Sequence, residues 1–382
     1  MALMDRVLQV PEYGWEDENG EFVKPTKAQI MKEFWSRMNF FKDRKNWIHP
    51  MAWIYVAVLF PSMFILIGWY LTWPIFIVTA IYSAVIMSTH GTIWYHRYCT
   101  HRAYKFRNKF WRFFTQNIVV KTIPEETYVV SHHVHHAKSD KPGDPYNAQG
   151  GFLYCFLADV NHQPIAKDLT EREYELTTKF LSHTGIYINS YKQYQKWGSV
   201  TNPFFAISGA ILNWAFWFTV CYFIAGPGLG LGLFTGAMLW AVGVRTFNYQ
   251  GHGQGEDQRR EGIDYNWKDM SVNQSRPGYL GGEWHNNHHL YPNGARAGFL
   301  PYQWDNAWAY IWFMHKIGAV KSYKDYKENF LKEYVIPNRK AENTRSKKKR
   351  DKVLEPDIKL GGNTPEEPVA VPVEATARGT SD

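Results

Sequence analysis

The stretch MAWIYVAVLFPSMFILIGWYLTWPIFIVTAIYSAVIMSTHGTIWY, residues 51 to 95, contains no Asp, Glu, Lys or Arg. A second stretch without these residues runs from Pro203 to Val244. Since a helix needs roughly 20 apolar residues to cross a bilayer, each stretch is long enough for two spans. Buried helices of a soluble protein are the alternative, but the Trp and Tyr residues near the ends of both stretches favour a membrane.

Turn-forming residues interrupt both apolar stretches near their middle. Pro74 lies in YLTWP, and AGPGLG contains Gly226 to Gly230. Proline and glycine suit tight turns between antiparallel helices. The sequence therefore predicts an all-α integral membrane protein with four transmembrane helices in two hairpins. The predicted spans cover about 51–70, 74–95, 203–225 and 228–249, within a membrane domain of residues 51–335.

The basic residues predict how the chain is oriented. Lys and Arg crowd the outer ends of both hairpins and are absent from the two tips, so both termini and the middle segment are predicted to be cytoplasmic. The formal charge of +8 suits a face held against anionic headgroups, and no nucleic-acid-binding module is recognisable. Residues 1–50 are predicted to be a cytosolic segment with an interfacial helix, and 336–382, which contain RSKKKR, a disordered tail.

The histidines cluster in a spacing typical of metal ligands. SHHVHH and EWHNNHH both contain H-x-x-H-H, as His132, His135 and His136 and again as His285, His288 and His289. Residues three and four apart share a helix face, so His285 is expected to meet both of its partners at one point. HRYCTH adds His96 and His101, which an α-helix would turn about 140° apart, towards different metals. NYQGH adds His252, with Asn248 four residues before it.

Nine imidazoles are too many for one ion, whose inner sphere holds four to six ligands, so we expect two metals. Zinc sites use fewer histidines, whereas imidazole also suits iron, and we favour two irons. Asn248 either holds a metal-bound water or caps a helix end. The six other histidines are expected to be structural, with His90 and His133 the best candidates to support ligands: His49, His90, His133, His162, His183 and His315.

All nine histidines lie outside the apolar stretches, on the side predicted to be cytoplasmic, so the metals are expected at the membrane face. A transporter would place polar residues near the bilayer midplane, at broken helices, and only His90 lies inside a predicted span. A metal transporter or sensor is therefore a distant alternative.

The motifs HRYCTHR, HHVHH, NYQGH and GEWHNNHH together resemble the membrane-bound fatty acyl desaturases of the stearoyl-CoA type, from about Trp47 to about Tyr323. The resemblance implies four transmembrane helices with a cytosolic helical cap that holds the histidines and a kinked tunnel for the acyl chain. It also implies a di-iron centre with Asn248 holding a water. The implied ligands are His96, His101, His132, His135, His136, His252, His285, His288 and His289.

The implied activity is the oxygen-dependent introduction of a cis double bond, near delta-9, into a saturated fatty acyl chain carried by CoA. Removing hydrogen from an unactivated methylene demands a strong oxidant, which two irons, dioxygen and two electrons can supply. A fatty acyl hydroxylase with the same histidine site is the alternative. The chain has no haem-binding HPGG, no ferredoxin cysteine array and no G-x-G-x-x-G after a strand, so a ferredoxin, a cytochrome b5-like protein or a reductase must supply electrons.

The chain departs from the animal members of this family beside the second histidine motif. Those members carry Arg and Asp before it and a basic pair after it, which contact CoA. Here the places hold Val130 and Ser131, then Asn161 and His162, although Asp144 and its neighbours keep the family's DP.N pattern. Membrane lipid and acyl carrier protein are therefore alternative carriers. FRNKFWRFF, residues 106–114, suits an interfacial helix beside the tunnel mouth or an ordinary amphipathic cap helix.

Overall fold

The computed structural model describes residues 3–337, with the backbone alone at positions 276, 277 and 279. Its regular structure is almost entirely helical. Four helices are long and apolar enough to cross a membrane, and we call them the first to fourth spans: Ile48–Tyr70, Trp73–Thr100, Pro203–Ala225 and Pro227–Gly251. The predicted all-α membrane fold with four such helices is confirmed. The arrangement as two hairpins stays a prediction.

The spans end at the residues whose chemistry breaks helices. Leu71 and Thr72 are extended between the first two spans, and Pro74 is the second residue of the next helix, where its missing N–H leaves no bond unmade. Gly226 has a φ of 76° between the third and fourth spans, and Pro227 begins the fourth. Glycine adopts this conformation without the steric cost that a Cβ would bring.

The fourth span packs against each of the other three. Its apolar stretch is 56 % buried inside the protein, against 17 to 33 % for the others, which makes it the central helix. Gly228, Gly232 and Gly236 recur every four residues on one face of it. A Cβ at Gly232 would lie 2.7 Å from Thr79 Oγ1, and one at Gly236 would lie 3.0 Å from Thr79 O. These glycines therefore let the second and fourth spans approach closely.

Large apolar side chains are exposed along the first three spans. They include Trp69, Trp73, Phe204, Leu212, Phe223 and Ile224, each more than two thirds exposed. Exposing a continuous apolar surface of this kind to water costs free energy, whereas contact with lipid does not. The protein is therefore a membrane protein.

Several spans contain irregular turns. The first is built from Ile48–Leu59, Pro61–Ile65 and a π-helical Leu66–Tyr70. The second is built from Trp73–Ile81, π-helical Tyr82–Met87, Ser88–His90 and π-helical Gly91–Thr100. The fourth is built from Pro227–Gly243, the 3₁₀ turn Val244–Thr246 and Phe247–Gly251. π turns are rare and are frequently found at functional sites.

Shorter elements lie outside the spans. The helices are Leu3–Arg6, Lys27–Met38, Lys109–Asn117, Glu125–Lys138, Phe152–Phe156, Ala158–Asn161, Glu171–Leu181, Tyr191–Trp197, Arg276–Gly281, His285–Leu290, Asn306–Lys316 and Lys327–Phe330. The 3₁₀ turns are Arg44–Asn46, Ala148–Gly150 and Gly253–Gly255, and Leu331–Val335 is π-helical. The strands Tyr104–Phe106 and Val320–Tyr323 pair antiparallel, with Tyr104 opposite Tyr323.

A hydrophobic core beyond the end of the second span positions the helix Glu125–Lys138. Trp94, Val129, Val130 and Ile311 are buried together there. Burying such side chains stabilises the fold by roughly 1.5–3 kcal/mol each. The core therefore fixes the face of the helix that carries the histidines.

The two termini differ in how far the structure describes them. The helix Lys27–Met38 begins with a capping box between Thr26 and Gln29, and its buried Arg37 donates to the carbonyl of Val10 at 3.1 Å. The predicted position of this helix at the membrane interface stays a prediction. The predicted disordered tail, 336–382, lies outside the described residues except for Ile336 and Pro337.

Candidate metal centre

The nine predicted histidines come together in two groups. Within each group the ligand-capable atoms all lie within 4.8 Å of one another. The first group contains His96, His101, His132, His136 and His288, and the second contains His135, His252, His285 and His289. The second span, the helix Glu125–Lys138, the end of the fourth span and the helix His285–Leu290 supply them.

His96 and His101 lie in the same group, so the expectation that they face different metals was wrong. The expectation assumed an α-helix, in which a separation of five turns side chains apart. Here the segment Gly91–Thr100 is π-helical, and the His101 N–H donates to the His96 carbonyl at 3.1 Å. A π turn closes between residues five apart, which brings both rings to one face, with 4.9 Å between their centroids.

Each H-x-x-H-H motif divides between the two groups. His132 and His136, four apart, join the first group, whereas His135 points to the second. His285 and His289, again four apart, join the second group with their ring centroids 4.5 Å apart, whereas His288 joins the first. The expected meeting of His285 with both partners at one point was therefore wrong for His288. A single helical turn thus presents imidazoles to two neighbouring sites.

Four largely buried carboxylates hold histidines of both groups through Nδ1. Glu283 lies 3.1 Å from His96 Nδ1 and Asp144 lies 2.9 Å from His135 Nδ1. Asp140 lies 3.1 Å from His252 Nδ1 and Asp269 lies 2.9 Å from His289 Nδ1. A hydrogen bond from Nδ1–H to a carboxylate fixes the tautomer and leaves Nε2 free as a metal ligand.

Sequence reasoning assigned none of these four carboxylates a role. Asp144 belongs to the DP.N pattern and Glu283 to the GEWHNNHH motif, whereas Asp140 and Asp269 belong to none of the motifs. Closeness to a histidine motif could have indicated such a role for two of them, since Asp140 follows His136 by four residues and Glu283 precedes His285 by two. Their contact with a histidine also depends on long-range folding, since Glu283 is 187 residues from His96.

Burial keeps most of these imidazoles neutral. Removal from water lowers the pKa of His101, His132 and His136 well below the ordinary value. It does the same for His285 and His288. Neutral imidazole is the form that binds a metal.

His252 differs from these five histidines. Burial opposes its positive charge, but the nearby Asp140 carboxylate outweighs that effect and raises the pKa of His252. At the carboxylates, burial is likewise outweighed by neighbouring histidines: His289 lowers the pKa of Asp269, and His96 lowers that of Glu283. Asp269 and Glu283 are therefore charged and bring negative charge to the edge of the second and first group respectively.

The nitrogen atoms of the two groups fit bound cations. His288 Nε2 lies 2.9 Å from both His96 Nε2 and His136 Nε2, and His285 Nε2 lies 3.0 Å from His252 Nε2. Because Nδ1 of His96 carries the proton shared with Glu283, its Nε2 presents a lone pair to the other nitrogens of the group. In the described part of the chain, His101 Nε2, His135 Nε2 and His289 Nε2 are also buried without a hydrogen-bond partner. Cations would satisfy all of these atoms.

Asn248 lies inside the helix Phe247–Gly251, whose N-cap is Thr246, so it does not cap that helix end. Its carbonyl accepts the His252 N–H at 3.1 Å. Its side-chain Oδ1 is buried and has no hydrogen-bond partner among residues 3–337. An unsatisfied buried amide oxygen needs a donor, and an ordered water can provide one.

The six other histidines have partners of their own. Ring nitrogens of His49, His90, His183 and His315 lie 3.0 to 3.1 Å from backbone carbonyls, those of Arg37, Thr115, Tyr98 and Val320 respectively. The rings of His133 and His162 stack on Phe180 and Tyr154. Among residues 3–337, neither His90 nor His133 makes a hydrogen bond to a histidine of the two groups, and a supporting role for them stays a prediction.

A cavity of about 430 Å³, lined largely by span residues, reaches His96 of the first histidine group. Ser83 and Ala84 of the second span line it far from the histidines, and His96, Asn248 and Glu283 line it near them. Tyr128, which stacks on His132 with ring centroids 5.0 Å apart, forms part of its wall. Largely apolar pockets with a few polar groups at one end bind small apolar ligands and orient them.

Comparison with known proteins places these features in context. A sequence model described as fatty acid desaturase matches residues 71–311. Delta-9 acyl-lipid desaturase 1 of Arabidopsis thaliana is 24 % identical over 338 residues, which cover 81 % of this chain and 93 % of that protein.

Two further relatives act on other forms of acyl chain, to judge from their names. Acyl-CoA desaturase 1 of Saccharomyces cerevisiae is 22 % identical over 374 residues, 91 % of this chain and 63 % of that protein. Hex-5-enoyl-[acyl-carrier protein] acetylenase of Moorena producens is 25 % identical over 245 residues, 59 % of this chain and 69 % of that protein.

Proposed function

The chain belongs to the fatty acid desaturase family, and on that premise we propose that it is an oxygen-dependent, di-iron desaturase that introduces a cis double bond into a saturated fatty acyl chain. The observation that carries this proposal is the pairing of two buried histidine groups with a cavity, lined largely by span residues, that reaches His96 of the first group. We propose a double bond near delta-9, the position that the name of the Arabidopsis relative gives.

Each histidine group would hold one iron, with His96, His101, His132, His136 and His288 around the first and His135, His252, His285 and His289 around the second. With dioxygen and two electrons, two irons supply an oxidant able to remove hydrogen from a methylene. The chain's own part is to present Nε2 lone pairs, since Glu283, Asp140, Asp144 and Asp269 keep the proton on Nδ1.

The cavity wall would position the acyl chain and exclude water. Trp240, Tyr95 and Phe247 provide apolar surface along it, and apolar packing of this kind orients a methylene chain and fixes which carbons reach the histidine end. Asn248 Oδ1 would accept a hydrogen bond from a water at that end, which supports the water-holding role.

Deuterated substrates test the reaction. Saturated acyl chains carrying deuterium at two adjacent mid-chain carbons would be given to the iron-loaded protein with oxygen and a reconstituted electron donor. We expect mass spectrometry to show loss of two deuterons, a cis double bond and no oxygen retained from labelled dioxygen. A mid-chain alcohol that carries one labelled oxygen atom would make the protein a hydroxylase instead. A protein that binds iron yet yields no oxidised acyl chain would favour a metal carrier or sensor.

For the acyl carrier we propose a membrane lipid. The four positions that contact CoA in animal members hold Val130, Ser131, Asn161 and His162, all of them buried here. Ser131 Oγ donates to the Thr127 carbonyl, and Asn161 Nδ2 donates to the Ile30 carbonyl. None of these side chains can therefore contact a CoA phosphate.

The lining of the cavity supports lipid entry as well. Leu239 and Gly243 of the fourth span and Leu280 line the cavity and are exposed. An opening among span residues faces the bilayer, so a lipid-linked chain can enter sideways. We expect turnover of a stearoyl phospholipid in nanodiscs and much slower turnover of stearoyl-CoA or stearoyl acyl carrier protein. Equal or faster turnover of either soluble carrier would contradict the lipid assignment.

For the electron donor we propose an acidic one-electron carrier that docks over the second histidine group. Asp140 and Asp269, which hold His252 and His289, are nearly buried, and the Met270 N–H donates to Asp140 at 2.6 Å, which joins the two segments. Beside them Trp267 is 55 % exposed, with the Arg259 guanidinium 4.7 Å from its ring.

Exposed lysines lie beside these residues, which connect the protein surface to the second histidine group. Lys141 and Lys268 each adjoin one of the two carboxylates in sequence, and opposite charge on a partner would speed its association. We expect Lys141→Glu and Lys268→Glu to raise KM for the donor several-fold while iron content stays unchanged. Lys192→Glu is the matched control on another surface. Unchanged KM in both variants would place donor docking elsewhere.

We also propose that the histidine side of the membrane is cytoplasmic. The second span ends at Thr100 and the third begins at Pro203, and Arg97, Arg102, Lys192 and Lys196 lie near these ends, whereas the span tips carry no Lys or Arg. Such asymmetry places the basic side in the cytoplasm.

A further inference from the structure

A basic pocket lies beside the end of the second span. It is separate from the cavity of about 430 Å³ that reaches His96. Its volume is about 390 Å³, and four of its nine lining residues carry a positive charge: Arg102, Lys105, Lys109 and Arg112. Tyr98 and His183 lie among the others, and no Asp or Glu lines it within the described residues. A cavity with cations and no carboxylate favours an anionic ligand.

The floor of this pocket is held by the backbone and side chains around His183. Tyr98 donates from its hydroxyl to the His183 carbonyl at 3.0 Å, and a ring nitrogen of His183 lies 3.0 Å from the Tyr98 carbonyl. Gly185 has a φ of 84°, and a Cβ there would overlap the Arg112 guanidinium. The glycine therefore leaves the space that Arg112 occupies.

Positively charged groups in the pocket are available to bind a ligand. Arg112 Nε is buried and has no hydrogen-bond partner in the described part of the chain. Lys105 and Lys109 are exposed and make no ion pair with a described residue. An arginine with an unpaired Nε–H beside two lysines matches the oxygens of a phosphate.

The adjoining helix carries the pocket at the level of a membrane surface. Lys109 and Arg112 lie on one face of the helix Lys109–Asn117, and Phe110, Phe113 and Phe114 are exposed on another, 61, 64 and 39 % respectively. At the other end the Trp217 indole of the third span donates to the Asn117 carbonyl at 2.9 Å. A helix with these two faces, tied to a span, lies along the bilayer interface.

We propose that this pocket binds the phosphate of an anionic phospholipid headgroup, while the exposed phenylalanines enter the acyl region of the same bilayer. A headgroup is favoured over a soluble anion because two of the cations, Lys109 and Arg112, belong to the same helix as the apolar face and lie at the same depth. The site is independent of the desaturase reaction, since its lining residues do not include any member of the two histidine groups.

Native mass spectrometry with defined lipids tests the site. The full-length protein in detergent would be titrated with phosphatidylglycerol and with phosphatidylcholine, as wild type and as the double variant Lys105→Gln with Lys109→Gln. Each cation near a membrane surface strengthens binding on the order of fivefold, so we expect the double variant to bind phosphatidylglycerol about tenfold or more weakly. The double variant Lys192→Gln with Lys196→Gln removes the same charge elsewhere and is expected to bind within about twofold of wild type.

Three results would overturn the proposal. The first is equal phosphatidylglycerol binding by wild type and the Lys105 and Lys109 double variant. The second is complete displacement of the lipid by millimolar inorganic phosphate, which would make the site one for a free anion. The third is unchanged lipid binding together with a raised KM for an acidic electron donor in that variant, which would assign the pocket to a protein partner. Melting temperature and iron content of each variant verify that it is folded.

Discussion

At the scale of single residues, the two histidine groups make separable predictions. His135 is fully buried in the second group, whereas His315 lies outside both and its Nδ1 meets the Val320 carbonyl at 3.0 Å. We expect His135→Ala to remove at least half of the bound iron and nearly all desaturation, because an open ligand position exposes a buried metal site. His315→Ala is expected to keep both, as measured by metal analysis and product formation. Normal iron content in the His135 variant would contradict the two-group centre.

The carboxylates behind the histidines carry a second prediction. Asp269 lies 2.9 Å from His289 Nδ1 and is nearly buried. Asp269→Asn removes the charge that orients this ring, and loss of such a partner costs roughly 10–100-fold in metal affinity. Competition with a chelator would measure the loss. Asp257→Asn, at an exposed carboxylate paired with Arg259, is the control. Equal iron retention in both variants would mean that Asp269 does not support its histidine.

Glu126 gives a pH prediction outside the metal centre. Its buried carboxylate accepts the N–H groups of Val200 and Thr201 at 2.9 and 2.6 Å, yet burial raises its pKa to about 7. Because this pKa lies above its ordinary value of 4.5, Glu126 contributes stability that is present below pH 4.5 and is lost as the pH rises through about 7. The contribution is up to about 3 kcal/mol.

We therefore expect the melting temperature in detergent to fall between pH 5 and pH 8, and Glu126→Gln to reduce this slope because glutamine does not ionise. The variant also keeps one acceptor oxygen for the two N–H groups, so it should still fold. A slope identical to that of wild type would show that Glu126 does not titrate in this range.

The residue scale also shows what sequence could predict. All nine grouped histidines were identifiable, since their spacing is local and repeated. The carboxylates were not, because Asp269 is 20 residues from His289 and Glu283 is 187 from His96. Only the fold brings such pairs together, and no periodicity along the chain marks them.

At the scale of elements, the glycine face of the fourth span predicts where the membrane domain does not tolerate a larger side chain. A Cβ at Gly232 would lie 2.7 Å from Thr79 Oγ1 and 3.3 Å from Ile75, whereas nothing lies within 4 Å of one at Gly209 in the third span. Gly232→Val forces the second and fourth spans apart, at a cost of about 1–3 kcal/mol.

We expect Gly232→Val to lower the melting temperature by several degrees and to reduce bound iron, since both spans end in histidines of the centre. Gly209→Val should leave both nearly unchanged. A similar effect of the two substitutions would indicate that the glycine face does not determine this packing.

The elements were predictable in kind but not in detail. Charge-free stretches, Pro74 and Gly226 indicated four spans and their breaks, because bilayer thickness and backbone sterics act locally. The division of the histidines between the two groups was not predictable, because it depends on a π turn that no residue type between His96 and His101 predicts.

At the scale of the whole molecule, four spans place the segments joining them on alternate sides of the membrane. Both the N-terminal segment and the segment between the second and third spans should then share the side of the histidines. We expect Asn19→Cys and Ser190→Cys to react with an impermeant thiol reagent from the cytoplasmic side. Thr72→Cys, between the first two spans, should react from the other side. Labelling of all three from one side would contradict the four-span topology, and detergent-opened membranes provide the control for reactivity.

The π turn between His96 and His101 has a consequence for how this site tolerates change. An α-helix brings residues four apart to one face, and a π turn does the same for residues five apart. A chain with one residue fewer between these two histidines could therefore close an α turn and present the same pair of rings. Deletion of a single codon there would then preserve the pair of ligands, so a search pattern that insists on one spacing would overlook functional homologues.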